Sequence, residues 1–540
     1  MKTMKKYIYS LLTVGVASMA LVNTSCIEEV VPTTVATTEQ VGASAKSTEG
    51  LLFAMPQYLN AGNDDYHFQF GYGCMIHVRD VMTGDMPITF HDYDWFSPWT
   101  ENDGLSKNLA RSSYIYNYYY KLVQTANNLI SVVNPESASE ETLGNLGAAL
   151  AYRAMTYLDL ARMYEFLPND KINGVNADGN NVTGLTVPIV RETTTEEQSR
   201  NNPRVTHQAM YDFILADLEN AEKYIVGFKQ TSKTFPHLDA VYGLKARLYM
   251  WNEDYANAEK YARLAINEAK NLKTVPMTEK ECLDTKTGFN DITKWMWGAQ
   301  QTSEDYTVQT GIINWTSWMS NETSFGYASA GPYVMIDKSL YDKIAGSDFR
   351  KRMFKAPKGS PLYGKSEYLD AEAAESYPDY ASLKFRPNAG EMEDYKTGAA
   401  SAFPLMRVEE MYLIEAEAAA QQDPGRGVSL INSFMKNFRD PSYNCKAATK
   451  DDVVQEIVLQ KRIELWGEGH TFFDIKRLNM PVTRSYPGTN YDDSKAWFNT
   501  TTRPAWMNFV ISQSEEDNNN GVVGWNNPDT SGCYDVVAQE

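Results

Sequence analysis

The stretch Lys450–Leu478, which reads KDDVVQEIVLQKRIELWGEGHTFFDIKRL, combines a helical apolar pattern with many charges. Its apolar residues recur at helical spacing along one face: Val454, Ile457, Val458 and Leu465. Lys461 falls in the middle of that face, and a lone buried charge is too costly unless it is paired. Gly467 and Gly469 interrupt the helix, and His470–Arg477 restarts it. The stretch therefore predicts two buried helices around which internal ion pairs are organised.

The acidic residues of this stretch admit two interpretations. Glu464 and Glu468 are spaced by four, and His470 and Asp474 repeat that spacing, so a hydrolase could use such a pair in a cleft. Basic residues lie within a turn or two of them: Lys461, Arg462 and Arg477. Because nearby cations pair with carboxylates and lower their pKa values, we favour structural ion pairing over catalysis.

Motifs of the common enzyme classes are missing from the sequence. It carries no GxSxG, HExxH, P-loop or GxGxxG in a suitable context, and its six histidines are scattered singly. The five cysteines form no CxxC pair: Cys26, Cys74, Cys282, Cys445 and Cys533. We therefore predict no enzymatic activity, no cofactor and no metal site, and a disulfide among the last four cysteines stays open.

The run from Arg462 to Leu478 resembles the C-terminal signature of the SusD/RagB family of outer-membrane nutrient-binding lipoproteins. Its matching residues are Arg462, Glu464, Leu465, Glu468, Gly469, His470, Asp474 and Arg477. Gln460 and Thr471 depart from the family pattern, which usually has Glu and Arg there. A second block resembles the family through Arg407, Glu410, Leu413, Ala416, Glu417 and Ala418. A third does so through Arg153, Ala154, Tyr157, Asp159 and Leu160. The resemblance thus covers nearly the whole chain after Cys26.

The resemblance implies a mostly α fold, with a tetratricopeptide-like helical-repeat scaffold and an inserted, irregular, loop-rich lobe. It also implies capture of an oligosaccharide and its delivery to a TonB-dependent, SusC-like outer-membrane transporter. The first alternative is a RagB-like lid that binds oligopeptides for a peptide transporter. A structural or adaptor repeat protein and a cryptic glycosidase remain as further alternatives.

Helical periods elsewhere in the chain support this organisation. The predicted helical segments are Leu105–Val133, Thr142–Phe166, Arg204–Ile225 and Leu238–Lys270. The last fits a 34-residue tetratricopeptide frame, with small residues where paired helices cross. Within a domain spanning residues 47–540, we predict a helical scaffold over about 105–270 and 404–480, and a loop-rich ligand lobe over about 50–104 and 271–400.

The N-terminus has the pattern of a lipoprotein signal. Met1–Lys6 carries three lysines, Tyr7–Val22 is mostly apolar, and Ser25 precedes Cys26. We predict a signal peptide over residues 1–25, acylation of Cys26, and a flexible tether over residues 26–46. The acidic residues after Ile27 resemble a surface-export tag, so the expected location is the outer membrane, lipid-anchored and facing the cell exterior. The alternative is an ordinary secretory signal cut near Ser25.

Charge and aromatic content narrow the ligand class. The 540 residues carry a net charge of −19, which argues against nucleic acid as a partner and fits a neutral ligand. Aromatic residues make up 12% of the chain, including 34 tyrosines and 11 tryptophans. They serve either a tyrosine-rich core or stacking on a ligand.

Two tryptophan clusters in loop-rich regions are the candidate ligand platform. The apolar faces of sugar rings stack on aromatic rings, and their hydroxyls bind Asp, Asn, Gln and Arg side chains. The predicted ligand-binding residues are Arg79, Trp95, Trp99, Asn102, Trp315 and Trp318. Asp94 and Asn314 flank the two clusters. For each tryptophan the alternative is a role in packing the core.

Overall fold

The computed structural model describes residues 37–537 apart from positions 287, 493, 494, 496 and 497. The predicted signal peptide, the acylated Cys26 and the first part of the predicted tether lie outside the described residues. Across the part that is described, none of the helices has the length and apolar character needed to span a membrane.

The chain enters the fold through four helices: α1 Thr38–Ala43, α2 Ala45–Leu59, α3 Tyr72–Val81 and α4 Ser97–Thr100. Residues 38–43 and 45–46 are therefore helical, which contradicts the prediction of a flexible tether over this part of the chain. Ser44 caps α2, which buries a stripe at spacings of three and four: Thr48, Leu52, Met55 and Leu59. Helices α2 and α3 lie within the segment 50–104 that was predicted to be loop-rich, and residues 60–71 and 82–96 are irregular.

Six helices occupy the first half of the predicted helical scaffold. It comprises α5 Ala110–Ile130, α6 Glu140–Tyr164, α7 Glu196–Ser199, α8 His207–Tyr224, α9 Leu238–Trp251 and α10 Tyr255–Asn271. Helix α6 is buried along nearly its whole length and packs against α2, α5 and α8. A Cβ at Gly144 would lie only 2.3 Å from the Phe228 nitrogen, so glycine permits this close approach. Helices α9 and α10 form the expected helix–turn–helix unit.

The irregular lobe is built from short helices: α11 Glu279–Leu283, α12 Tyr306–Gln309, α13 Trp315–Met319, α14 Tyr327–Ala330, α15 Lys338–Asp342 and α16 Tyr395–Gly398. Strand β1 (Trp297–Gln300) pairs antiparallel with β2 (Ala402–Met406), with Ala299 opposite Phe403. Because β2 leads directly into the next scaffold helix, this two-stranded sheet joins the lobe to the scaffold. The sequence predicted that helical structure begins again at Pro404, but this residue lies in strand β2.

The scaffold resumes with α17 Val408–Gln422, α18 Pro424–Phe438, α19 Lys450–Glu464 and α20 Thr471–Arg477, followed by α21 Gln513–Asn518. Strand β3 (Phe498–Asn499) pairs with β4 (Asp535–Val536) near the end of the described chain. Helices α19 and α20 occupy the predicted positions. The turn between them is possible because Gly467 and Gly469 have φ angles of 77° and 73°, a region that favours glycine.

Helix α17 packs against α10, α18 and α19, and buried ion pairs join these elements to the lobe. Glu464 accepts hydrogen bonds from Arg439 at 2.6 Å, Arg407 at 3.0 Å and Arg350 at 3.1 Å. Burial alone would raise the pKa of Glu464, but the three arginines outweigh burial and hold that pKa well below its ordinary value. The carboxylate is therefore charged and fully paired, and it ties the scaffold to the segment around Arg350.

Candidate functional site

A patch of half-exposed aromatic rings lies where two loops and α14 meet. We call it the aromatic patch and define it by His67, Tyr93 and Trp95. The imidazole of His67 stacks on the Trp95 ring with centroids 4.6 Å apart and planes inclined by 15°. Tyr93 meets the His67 ring edge-on at 5.5 Å. Such stacked and edge-to-face pairs fix the rings before a ligand arrives.

A buried layer of aromatic rings supports the patch. Tyr327 lies within hydrogen-bonding distance of His67 Nδ1, at 2.5 Å, and stacks on Trp318 with a centroid distance of 3.5 Å. The Trp318 indole donates a hydrogen bond to the carbonyl oxygen of His67 at 3.3 Å. Burial lowers the pKa of His67 below its ordinary value, so its ring is neutral at neutral pH. The rings of the patch are thus uncharged and are held from beneath.

The loop that carries Trp95 is fixed at its base. Asp94 is buried, accepts a hydrogen bond from the Phe96 nitrogen at 2.9 Å and pairs with Lys495 at 2.5 Å. Phe96 is fully buried against Trp318 at 4.7 Å, with the two ring planes nearly perpendicular. Because its two flanking residues are anchored, Trp95 keeps one orientation at the surface.

Of the six residues predicted to bind ligand, Trp95 alone presents a half-exposed ring. Trp99 and Trp318 are 1% exposed and Trp315 is 0% exposed, so the prediction that loop regions would leave them free was wrong. Trp99 packs edge-on against Phe68 at 5.1 Å. These rings form the core beneath the patch and beside it.

The two polar residues predicted to bind ligand are also buried. Arg79 pairs with Asp159 at 3.0 Å, and both side chains are less than 5% exposed. Asn102 is fully buried and donates to the Thr530 carbonyl oxygen at 3.3 Å. Both are therefore enclosed within the fold, although Arg79 Nε and Asn102 Oδ1 have no hydrogen-bond partner among the described residues. Neither partner could be identified from the residues near them in sequence.

His67 and Tyr93 were missed by the sequence analysis. The signal that could have found them is the mixture of aromatic and acidic residues in Asp64–Phe68 and again in His91–Trp95. The candidate residues were chosen around tryptophan, and the first of these segments contains no tryptophan. Exposed carboxylates of Asp64, Asp65 and Asp92 border the rings and can accept hydrogen bonds from hydroxyl groups.

Among the acidic residues of the Lys450–Leu478 stretch, Asp474 has the ion partners expected from the sequence. Glu464 and Glu468 were expected to pair with basic residues of the same stretch, and they pair instead with arginine and lysine side chains outside it. Asp474 pairs with Lys461 at 2.7 Å and with Arg477 at 2.6 Å. Glu417 bonds to the same two cations, at 3.1 Å and 2.5 Å. Burial would raise the pKa of Asp474, but Lys461 and Arg477 hold it below its ordinary range.

Glu468 and Glu410 are held in the same way. Arg407 and Lys384 pair with Glu468 at 2.8 Å and 2.6 Å. Against the effect of burial, Arg247 holds the pKa of Glu410 down to about 2. A glycosidase needs one carboxylic acid that stays protonated near neutral pH, and these lowered pKa values are the reverse of that requirement.

Arg462 and His470 complete this set of predicted structural residues. Arg462 forms an ion pair with Asp85 through its guanidinium group. His470 Nδ1 lies 3.7 Å from Glu410, and burial lowers the histidine pKa to about 4. Among the described residues there is no group of three or more His, Cys, Asp or Glu placed to hold a metal ion. The cysteines after Cys26 are all free thiols.

Two family models match the chain side by side. The model described as "SusD family" matches residues 288–529, and the model described as "Starch-binding associating with outer membrane" matches residues 77–250. The chain belongs to the SusD/RagB family. Among proteins with curated descriptions, none matches the chain in sequence.

Solved structures share the SusD fold. A SusD-like carbohydrate binding protein from Bacteroides vulgatus ATCC 8482 has 22% identity and a TM-score of 0.69, over 89% of this chain and 97% of that one. A SusD superfamily protein from Bacteroides thetaiotaomicron VPI-5482 has 19% identity and a TM-score of 0.67, over 88% and 98% of the two chains. The tetratricopeptide-like helical architecture is therefore that of a whole SusD-like chain.

In this SusD/RagB chain the signature segment also positions the loop that leads to the patch. Gly469 donates its backbone N–H to Asp80 at 2.9 Å, and the Trp466 indole donates to the carbonyl oxygen of Asp85 at 2.8 Å. With the Arg462–Asp85 ion pair, these contacts hold the end of α3 and the turn after it. The chain reaches Trp95 only ten residues beyond Asp85.

Proposed function

We propose that this protein is a cell-surface glycan-binding lipoprotein that captures oligosaccharides and delivers them to a TonB-dependent outer-membrane transporter. The observation that carries the proposal is the aromatic patch, in which the half-exposed ring of Trp95 is stacked on His67 and fixed at the surface. An anchor on Cys26 would keep the protein at the outer membrane, on the exterior face of the cell.

The chemistry of the patch suits a sugar. Its rings offer flat apolar surface to the C–H faces of a pyranose, and Asp64, Asp65 and Asp92 beside them can accept hydroxyl hydrogen bonds. Because the rings are already ordered, binding loses little side-chain entropy. With a net charge of −19 the protein disfavours anionic ligands, and a neutral oligosaccharide meets no repulsion.

Family membership supports the same class of ligand. One matching family model is described as starch-binding and associated with the outer membrane, and the B. vulgatus relative is described as carbohydrate binding. We extend both descriptions to this chain as part of the proposal. The acids of the signature are held ionised by Arg407, Lys384 and their neighbours, which supports binding without turnover.

The ligand class is tested by calorimetric titration of the chain that begins after Cys26. The probes are malto-, xylo- and manno-oligosaccharides, titrated beside a tryptic peptide pool of matched concentration. We expect saturable binding of at least one oligosaccharide series, with no release of shorter products on prolonged incubation. Binding of the peptides alone would favour the RagB-like oligopeptide lid, and cleavage of the sugars would contradict a binding role.

Anchoring and delivery are tested in the cell envelope. The full chain should fractionate with outer membranes and copurify with a TonB-dependent transporter. A Cys26→Ser variant should leave the membrane fraction, because one sulfur atom carries the lipid. Retention of the variant in the membrane would contradict anchoring through Cys26.

A further inference from the structure

A second concave surface lies beside the aromatic patch. We call it the tyrosine groove; it runs between the end of α2 and the first half of α5, and it has a volume of about 450 Å³. The residues that characterise it are Tyr58, Asn63, Gln69, Tyr114, Asn117 and Tyr118. Its volume lies in the range of roughly 300–1,000 Å³ that ligand clefts occupy.

Aromatic rings form one wall of the groove, and their hydroxyls hold them in place. Tyr58 and Tyr118 stack with centroids 5.1 Å apart and planes inclined by 16°. The Tyr118 hydroxyl donates to the carbonyl oxygen of Tyr58 at 3.0 Å, and the Tyr114 hydroxyl accepts from the Gly71 nitrogen at 2.9 Å. The tyrosine rings of this wall are therefore held in place before a ligand binds, as are the rings of the aromatic patch.

A buried polar atom in the groove lacks a partner. Gln69 is 7% exposed, and its side-chain oxygen Oε1 accepts no hydrogen bond within the described part of the chain. A buried acceptor left in this state costs roughly 1–3 kcal/mol. Because Gln69 lines the groove, rotation of its amide group can present this oxygen to a hydroxyl group of a bound molecule. Asn63 and Asn117 are exposed at the rim of the groove and add amide groups that both donate and accept.

One short segment joins the groove to the patch. Within Tyr66–Gln69, His67 packs on Trp95 in the patch, while Phe68 meets the groove residue Tyr114 edge-on at 5.9 Å. His67 and Gln69 are two residues apart, so their Cα atoms are at most about 7 Å apart. A sugar chain of a few units bound at the patch can reach the groove.

We propose that the tyrosine groove is a second subsite that takes the extension of an oligosaccharide whose first part stacks on the aromatic patch. This inference rests on the proposed function and makes it specific, because it selects oligosaccharides long enough to cover both surfaces. Gln69 accepts a sugar hydroxyl, and the Tyr58 and Tyr114 rings line the path of the chain.

The test compares short and long sugars in the same protein. Maltose and maltoheptaose are titrated into the wild-type chain, with short and long xylo- and manno-oligosaccharides run in the same way. In the series that binds, we expect the long sugar to bind at least about tenfold more tightly than the short one. In the double variant Gln69→Leu with Asn117→Ala, most of this difference in affinity between the long and the short sugar should disappear. The affinity for the short sugar should stay the same.

Matched variants separate the two surfaces. Asn437→Ala is the control, because Asn437 is an exposed amide that bonds to the serine four residues earlier, as Asn117 does. Trp95→Ala should weaken short and long sugars alike. The second subsite would be contradicted if short and long sugars bound with equal affinity, or if the ratio of the two affinities were unchanged in the double variant. Either result would leave sugar binding at the patch intact. If no oligosaccharide series binds to the wild-type chain, both the proposed function and the second subsite are contradicted.

A footprint gives a second readout that does not depend on variants. Hydroxyl-radical oxidation of Tyr58 and Tyr114 should fall when the long sugar is bound and stay unchanged with the short one. Protection confined to Trp95 and Tyr93 with both sugars would contradict the second subsite.

Discussion

Tryptophan side chains serve two purposes in this protein, and the difference lies in what covers each ring. Trp95 is stacked on His67 and is partly buried, whereas Trp318, only 1% exposed, lies beneath Tyr327 and bonds to the His67 backbone. The buried rings cannot stack on a ligand without opening the core. These buried rings instead fix the orientation of Trp95.

Buried histidines make the stability of the fold depend on pH. Burial lowers the pKa of His77 to about 3, so the folded protein keeps the ring neutral while the unfolded chain takes up a proton near pH 6.5. This contribution to the free energy of unfolding is present above about pH 6.5 and is lost as the pH falls below that value, by about 1.4 kcal/mol per unit.

We predict that the variant His77→Asn loses less stability than the wild type between about pH 7 and about pH 5. The expected difference is about 2 kcal/mol, measured by urea unfolding at the two pH values. His91→Asn is the control, since His91 is exposed. If His77→Asn and the wild type lose stability in parallel, burial of a neutral His77 is contradicted.

Helices α17 and α19 are joined by charged side chains as well as by apolar contacts. Arg407, which precedes α17, is fully buried and bonds to Glu464 at the end of α19 and to Glu468 in the turn after it. Removing one partner of a buried ion pair leaves the other charged and unpaired, which is far more costly than losing an exposed pair.

We predict that Arg407→Met lowers the free energy of unfolding by about 3–5 kcal/mol, because Glu468 loses its main partner and Glu464 loses one of its three arginines. Arg200→Met, at an exposed pair with Glu196, should cost no more than about 1 kcal/mol. Urea midpoints of the two variants provide the comparison. A small effect at Arg407 would show that the helices are held by apolar packing alone.

The same elements show how far the sequence predicts the fold. Helix α5 and the α9–α10 pair could be predicted because apolar residues repeat at helical spacing over many turns. Helix α2 was missed because its buried stripe begins with Thr48 in a stretch diluted by serine, threonine and glycine. The short strand β2 could not be separated from the helix that follows it, since its residues are buried on both faces.

At the scale of the whole molecule, the candidate site is assembled from residues that lie far apart in the chain. Asn102 bonds to Thr530, and the loop of Asp94 is held by Lys495. Contacts across some 400 residues decide which tryptophans are buried, and local sequence contains no signal for them. That the acids of the signature are ion-paired was predictable, but of Glu464, Glu468 and Asp474 only Asp474 has its partners nearby in sequence. Of the surface proposed to bind ligand, the sequence analysis named Trp95 alone.

The central claim is that a fixed aromatic patch binds oligosaccharide, and the most direct measurement compares two tryptophan variants. The tightest-binding oligosaccharide of the panel is titrated into Trp95→Ala and into Trp525→Ala, whose ring is 42% exposed in another part of the surface. We predict that Trp95→Ala weakens binding by about tenfold or more, equivalent to about 1.4 kcal/mol, and that Trp525→Ala binds like the wild type. Unchanged affinity in Trp95→Ala, with the fold intact, would contradict the patch as the binding site.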